Sequence, residues 1–141
     1  MLILKRRESF CASHRLFNPN WDDAKNSKIF GKCSHINGHG HNYILEVAVT
    51  GDLDPETGFI FSLQELKTII QEEILDEVDH KHLNFDVLWL KGKIPTTEVL
   101  VKEIGDKIEN RLKKHSEKVK LYSVTVWETP KNYVTQIRAH A

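Results

Sequence analysis

Alternation constrains this chain more than any other feature. Leu45, Val47 and Val49 alternate with Glu46 and Thr50, the period-two pattern of a strand with one buried face. Carried back toward the N-terminus, the same parity puts His39 and His41 on the face of Leu45 and Val47. Two imidazoles at positions i and i+2 then project together from the end of an apolar face. A third ligand from elsewhere in the chain, such as His14, would complete a three-protein-ligand site with a position open for substrate, the pattern of a catalytic zinc.

The rest of the chain supplies a scaffold. An extended segment covers about residues 2–10, and a polar loop with Asn18-Pro19-Asn20 and Asp22-Asp23 covers 18–32. After the strand, residues 51–58 are turn chemistry and Phe59-Ile60-Phe61 is a short extended piece. Ser62 with Glu65 forms a capping box ahead of a helical stripe of Leu63, Leu66, Ile70 and Ile74. Residues 79–90 follow no single period. Pro95-Thr96-Thr97-Glu98 opens a second helix with Leu100, Ile104, Ile108 and Leu112 on one face. Two strands close the chain. Tyr122, Val124 and Val126 share a face, residues 129–132 turn, and 133–139 return. The order is ββααββ, which predicts an α+β fold: a four-stranded antiparallel sheet with two helices on one face. Such a sheet has two open edges that subunits can close by pairing with each other.

At 141 residues the chain is expected to form one domain over 1–141, with a core that needs no disulfide. Its 20 basic and 20 acidic residues balance, so neither nucleic acid nor an anionic membrane is an expected partner. No apolar run approaches the roughly 20 residues of a membrane span, and Lys5-Arg6 comes too early for a signal peptide. A soluble cytoplasmic protein with free thiols at Cys11 and Cys33 is the expectation.

Each chemically active residue has a plainer alternative. His39-Gly40-His41 is either a metal arm, with Gly38 and Gly40 removing bulk where a ligand approaches, or a glycine-rich turn with polar histidines. Cys33, His35, His39 and His41 could instead close a structural zinc site, although that leaves His14 unused. Cys33 is either an activated thiol or a small buried hydrophobe, and Cys11, between Phe10 and Ala12, fits the buried role well. Asp79-His80 is either a proton-transfer pair or a solvated loop after a helix. Glu128 continues the parity of Tyr122, Val124 and Val126, so its carboxylate falls on a core face. It either meets a ligand offering paired N–H groups or ends a strand as an ordinary glutamate.

Along almost its whole length the chain resembles the 6-pyruvoyl tetrahydropterin synthases, zinc-dependent pterin enzymes of the tunnelling fold (T-fold). The matching segments begin with Phe10-Cys11-Ala12-Ser13-His14-Arg15-Leu16, Phe30-Gly31-Lys32-Cys33 and Asn37-Gly38-His39-Gly40-His41-Asn42-Tyr43. They continue through Asp54-Pro55-Glu56-Thr57-Gly58, Leu66-Lys67, Asp79-His80-Lys81, Pro95-Thr96-Thr97-Glu98 and Val126-Trp127-Glu128-Thr129. The resemblance implies that His14, His39 and His41 bind Zn2+, that Cys33 is the catalytic base, and that Asp79 and His80 form a second proton-handling pair. It also implies that Glu128 anchors the pterin ring, with Thr96, Thr97 and Glu98 lining the same pocket. Arg15 and Lys32, beside a ligand and the thiol, are candidates for the triphosphate tail. The implied reaction converts 7,8-dihydroneopterin triphosphate into 6-pyruvoyl tetrahydropterin with loss of triphosphate, a lyase step of tetrahydrobiopterin biosynthesis. The implied assembly is a homohexamer of two stacked trimers, barrel-forming, with interfacial active sites.

Two relatives share the scaffold. The 6-carboxytetrahydropterin synthases of queuosine biosynthesis typically place three residues between the cysteine and His-x-His, where this chain has five. A third group carries glutamate in place of the cysteine, against which Cys33 argues. A non-catalytic pterin-binding protein is the reading from another class, and it leaves the joint presence of Cys33, Asp79, His80 and Glu128 without purpose. His35 and Cys11 depart from the family pattern as spare potential ligands.

Overall fold

Apolar alternation is read out as a sheet whose one face is packed against helices. The computed structural model describes residues 1–139, so the last two residues of the domain expected over 1–141 lie outside the described residues. Strand β1 (Ile3–His14) pairs antiparallel with β2 (His39–Gly51), in a register that sets Phe10 opposite Tyr43, Ala12 opposite His41 and His14 opposite His39. Strand β4 (Val119–Trp127) pairs antiparallel with β2, and β5 (Tyr133–Ile137) with β4.

The sheet has five strands rather than the expected four, and it is mixed rather than antiparallel. A two-residue strand β3 (Lys81–His82) lies parallel to β1, giving the order β3-β1-β2-β4-β5. Two residues carry no readable period. The strand exists because the backbone is tied on both sides of it, with His80 N–H donating to the Cys11 carbonyl (2.6 Å) and Leu83 N–H to that of Ser13 (2.8 Å).

Two helical segments cover the apolar face. Helix α2 (Leu63–Ile70) is capped by the Ser62 hydroxyl, which accepts from Glu65 N–H at 3.3 Å. It runs on through a π-helical stretch (Gln71–Leu75) into a last turn, α3 (Asp76–Val78). Leu66, Ile69, Ile70, Ile74, Leu75 and Val78 are buried, whereas Leu63, expected on this stripe, is exposed. Helix α4 (Thr97–His115) is capped by Thr96 and buries Leu100, Ile104, Ile108 and Leu112 as the spacing predicts.

The polar loop expected over 18–32 contains a helix, α1 (Asp23–Phe30). No apolar stripe announces it. Its signals are the Asp22 carboxylate capping Lys25 N–H at 2.8 Å and a buried Asn26, whose amide bonds the carbonyls of Asn18, Trp21 and Asp22. Residues 59–61 form no strand, and Asp54 N–H instead donates to the Phe59 carbonyl across the turn. In β4 a bulge leaves Tyr122 without a partner on β2, with Ala48 opposite Ser123 but Val49 opposite Leu121. The buried face of β4 is therefore Val119 and Leu121, then Val124 and Val126, and Tyr122 is not part of it.

Candidate metal centre and active site

The register of β1 and β2 makes the site. His14 ends β1, His39 begins β2 directly opposite it, and His41 follows on the same face. The backbone at Gly38 has φ +72°, and a Cβ there would lie 2.9 Å from the His14 carbonyl oxygen. Glycine is thus required for β2 to enter beside β1. Gly40 is different, since a Cβ there would make only an ordinary contact at 3.5 Å with the Ala12 carbonyl oxygen.

Four donor atoms converge: one ring nitrogen each from His14, His39 and His41, and one carboxylate oxygen of Glu128, all within 4.8 Å of one another. His14 Nε2 is 3.1 Å from His39 Nε2, and His41 Nε2 is 3.0 Å from Glu128 Oε1. His14 Nδ1 donates to the Pro95 carbonyl at 2.9 Å, which leaves its Nε2 bare and turned to the cluster. A backbone carbonyl on the far nitrogen is the usual support for a ligating imidazole. Burial is the main cause that holds His14 down at about 4, so it is neutral and available as a ligand. Burial likewise lowers His41, against an opposing pull from Glu128. It also raises Tyr43, whose hydroxyl sits 3.4 Å from His14 Nδ1.

These residues fit a metal. His41 Nε2 is buried without a hydrogen-bond partner, and the 3.0 Å approach of Glu128 lacks hydrogen-bond alignment. Bare imidazole nitrogens facing one another and a carboxylate are satisfied by a cation.

Beside the cluster lies an open hollow of about 410 Å³, lined among others by Leu16, Cys33, Thr97, Glu98, Glu128 and Lys131. Cys33 is placed by a short turn (Gly31–Ser34) after α1, and its carbonyl accepts from Leu16 N–H at 2.8 Å. It is not one of the converging donors. Thr97 Oγ1 donates to Glu128 Oε2 at 2.6 Å, and Thr96 is occupied as the α4 cap. A larger hollow of about 630 Å³, between the end of α4, strand β4 and the residues that follow β5, is lined by no histidine or cysteine among the described residues.

Other candidates stand apart. Asp79 and His80 pair at 3.0 Å with side chains 42% and 80% exposed, and they do not line the Cys33 hollow. The Cys11 backbone N–H, 2.9 Å from Asp79 Oδ1, is the first cause of that carboxylate's lowered pKa. Arg15 is engaged locally, its Nε donating to the Ser34 carbonyl (2.8 Å) and its guanidinium lying over Phe17. Lys32 is exposed. Cys11 is exposed too, not the small buried hydrophobe its neighbours suggest, because Phe10 and Ala12 take the inner face and leave it the outer one. His35 is exposed and outside the donor cluster. The Pro95 carbonyl behind His14 and two further residues lining the Cys33 hollow, Lys131 in the β4–β5 turn and Tyr133 at the start of β5, have no sequence signal for these places, which depend on how α4 and the β4–β5 turn dock.

A model of the family described as 6-pyruvoyl tetrahydropterin synthase matches residues 3–138. The chain belongs to this family. It is 44% identical over 133 residues to the 6-pyruvoyl tetrahydrobiopterin synthase of Drosophila melanogaster, covering 94% of this chain and 77% of that one. The solved structure of Caenorhabditis elegans 6-pyruvoyl tetrahydropterin synthase superposes with a TM-score of 0.89 at 38% identity, over 98% of this chain and 96% of that one. A 6-carboxy-5,6,7,8-tetrahydropterin synthase from Haemophilus influenzae is 30% identical over 119 residues, 73% of this chain and 82% of that one. No helix is long and apolar enough to cross a membrane among the described residues.

The buried histidine makes the metal-free form acid-sensitive. His14 stays neutral down to about 4 when folded but titrates near 6.5 when unfolded. The unfolded chain binds more protons between those values, so stability falls as pH drops from 6.5 toward 4. The gap corresponds to roughly 3 kcal/mol at its full extent. Urea unfolding of metal-stripped protein at pH 7.5, 6 and 5 measures it, and a flat profile would contradict the burial of this imidazole.

Proposed function

We propose that the protein is a zinc-dependent 6-pyruvoyl tetrahydropterin synthase, converting 7,8-dihydroneopterin triphosphate into 6-pyruvoyl tetrahydropterin and triphosphate in the cytoplasm. The observation that carries this reading is the convergence of His14, His39 and His41 beside a hollow that Cys33 and Glu128 share. Bound Zn2+ would supply Lewis acidity toward the substrate's side-chain hydroxyls and the neighbouring C–H groups.

The chain's own residues take the remaining roles. Cys33 moves protons at the substrate side chain. Glu128, oriented by Thr97 at 2.6 Å, anchors the pterin ring through its N–H groups. Glu98 lines the same hollow, and Thr96 supports it by fixing the start of α4. Lys32 offers a free cation for the triphosphate, and Arg15 shapes the loop that carries Cys33.

Asp79 and His80 act as the second proton-handling pair. His80 holds φ +62°, a left-handed conformation uncommon outside glycine and found at constrained functional positions. Since the pair faces solvent and not the Cys33 hollow, it would serve the site of a neighbouring copy. Edge strand β5 and most of β1 are open to pairing, which supports a homohexamer of two trimers closed into barrels.

The carboxy-forming reading is less well supported, given five residues between Cys33 and His39 and the lower identity to the Haemophilus influenzae enzyme. Incubating zinc-loaded protein with dihydroneopterin triphosphate and weighing the product by mass spectrometry tests the choice. A pyruvoyl product with free triphosphate is expected, and a carboxy product would overturn it.

A further inference from the structure

We propose that Glu128 is the fourth ligand of the metal while no substrate is bound, its Oε1 closing the position that substrate later takes. The claim rests on the proposed pterin chemistry only for its second half, the displacement.

Three observations carry it. Glu128 Oε1 belongs to the same converging set as the three imidazole nitrogens, whereas the Cys33 sulfur does not. A tetrahedral site with donors at about 2.0–2.1 Å has donor–donor edges of about 3.3 Å. Two opposed edges here are 3.1 Å (His14 Nε2 to His39 Nε2) and 3.0 Å (His41 Nε2 to Glu128 Oε1). The second edge is also not a hydrogen bond, because His41 Nε2 is buried without an aligned partner although the carboxylate is in reach. A lone pair on nitrogen and one on a carboxylate, side by side and both turned inward, repel unless a cation lies between them.

The outer contact fits the same role. Glu128 Oε2 accepts the Thr97 hydroxyl at 2.6 Å, and Thr97 is buried at the first turn of α4. Ligating carboxylates are commonly held this way by a donor on the second oxygen. Thr97 then acts as a pivot. Oε1 can leave the metal for the ring N–H groups while Oε2 stays bonded, so arrival of the pterin opens the fourth position for the substrate's own oxygen. The free site thereby keeps one negative charge against the metal and excludes adventitious anions.

The direct test is a crystal structure of zinc-loaded protein with no pterin, paired with one soaked in neopterin. A Glu128 oxygen at about 2.0–2.2 Å from zinc in the first, and withdrawn in the second, is the expected result. Chelator competition supplies the solution measurement and needs no turnover. Glu128→Ala should weaken zinc binding by about 100-fold and Thr97→Val by about tenfold, the latter being the usual effect of losing an outer donor. Zinc held by three histidines and a water, with Glu128 beyond reach and its alanine variant unchanged in affinity, overturns this inference and leaves the proposed function intact. Zinc absent from the histidines altogether overturns both.

Discussion

Cys33→Ala will lower kcat by about 10²–10⁴-fold, the range for removal of a positioned acid–base group, with zinc content unchanged at about one per chain. The two halves of this expectation come from separate observations. Cys33 lines the hollow with Glu128 and Thr97, where a reacting side chain would lie. It is outside the set of converging donors, so its loss should spare the metal. The thiolate is the reactive form of a cysteine, and the adjacent cation would favour it. Product formation under saturating substrate and metal analysis of the same preparation give the answer. Retained turnover removes Cys33 from the mechanism, and loss of zinc makes it a ligand instead.

His14→Ala will leave the purified protein without zinc and without activity. His14 is completely buried, stands opposite His39 at the end of the β1–β2 pairing, and gives its second nitrogen to the Pro95 carbonyl. The substitution therefore removes a ligand and orphans a buried acceptor at once. An unsatisfied carbonyl costs about 1–3 kcal/mol, enough to register in urea unfolding of the metal-free form without abolishing the fold. Elemental analysis and circular dichroism on one sample separate the two effects. A stoichiometric zinc content in a folded His14→Ala protein would mean that His39, His41 and Glu128 suffice.

The strongly periodic parts of this chain were legible and the rest was not, for identifiable reasons. Leu100, Ile104, Ile108 and Leu112 face inward as their spacing predicts, since a long amphipathic helix leaves no competing arrangement. His39 and His41 share the face of Leu45 and Val47 as their parity predicts, because one register fixes every second residue of β2. Helix α1 was invisible to periodicity because a cap and the buried Asn26 amide hold it, not an apolar face. Strand β3 was too short to show a period. The bulge at Tyr122 inverts the parity of β4 below it, yet Val124 and Val126 keep theirs, and Glu128, two residues on, lies with the histidine cluster. Nothing in the residue string marks the carbonyl of Pro95 as the acceptor behind His14, because every residue carries a carbonyl and only docking selects one. The same holds for the Ser34 carbonyl, which accepts from Arg15 Nε.

The opposition of His14 and His39 has a topological meaning as well. The chain leaves the sheet at His14 and re-enters at His39, and the excursion between them carries α1 and the Cys33 turn. A metal bound at its neck would act as a reversible staple, closing that excursion into a ring much as a disulfide does. The thiol-bearing segment, already tied by Leu16 N–H to the Cys33 carbonyl and by Arg15 to that of Ser34, would then be held more tightly in the loaded protein. Proteolytic nicking between Arg15 and Gly38 would report metal occupancy without any reference to turnover.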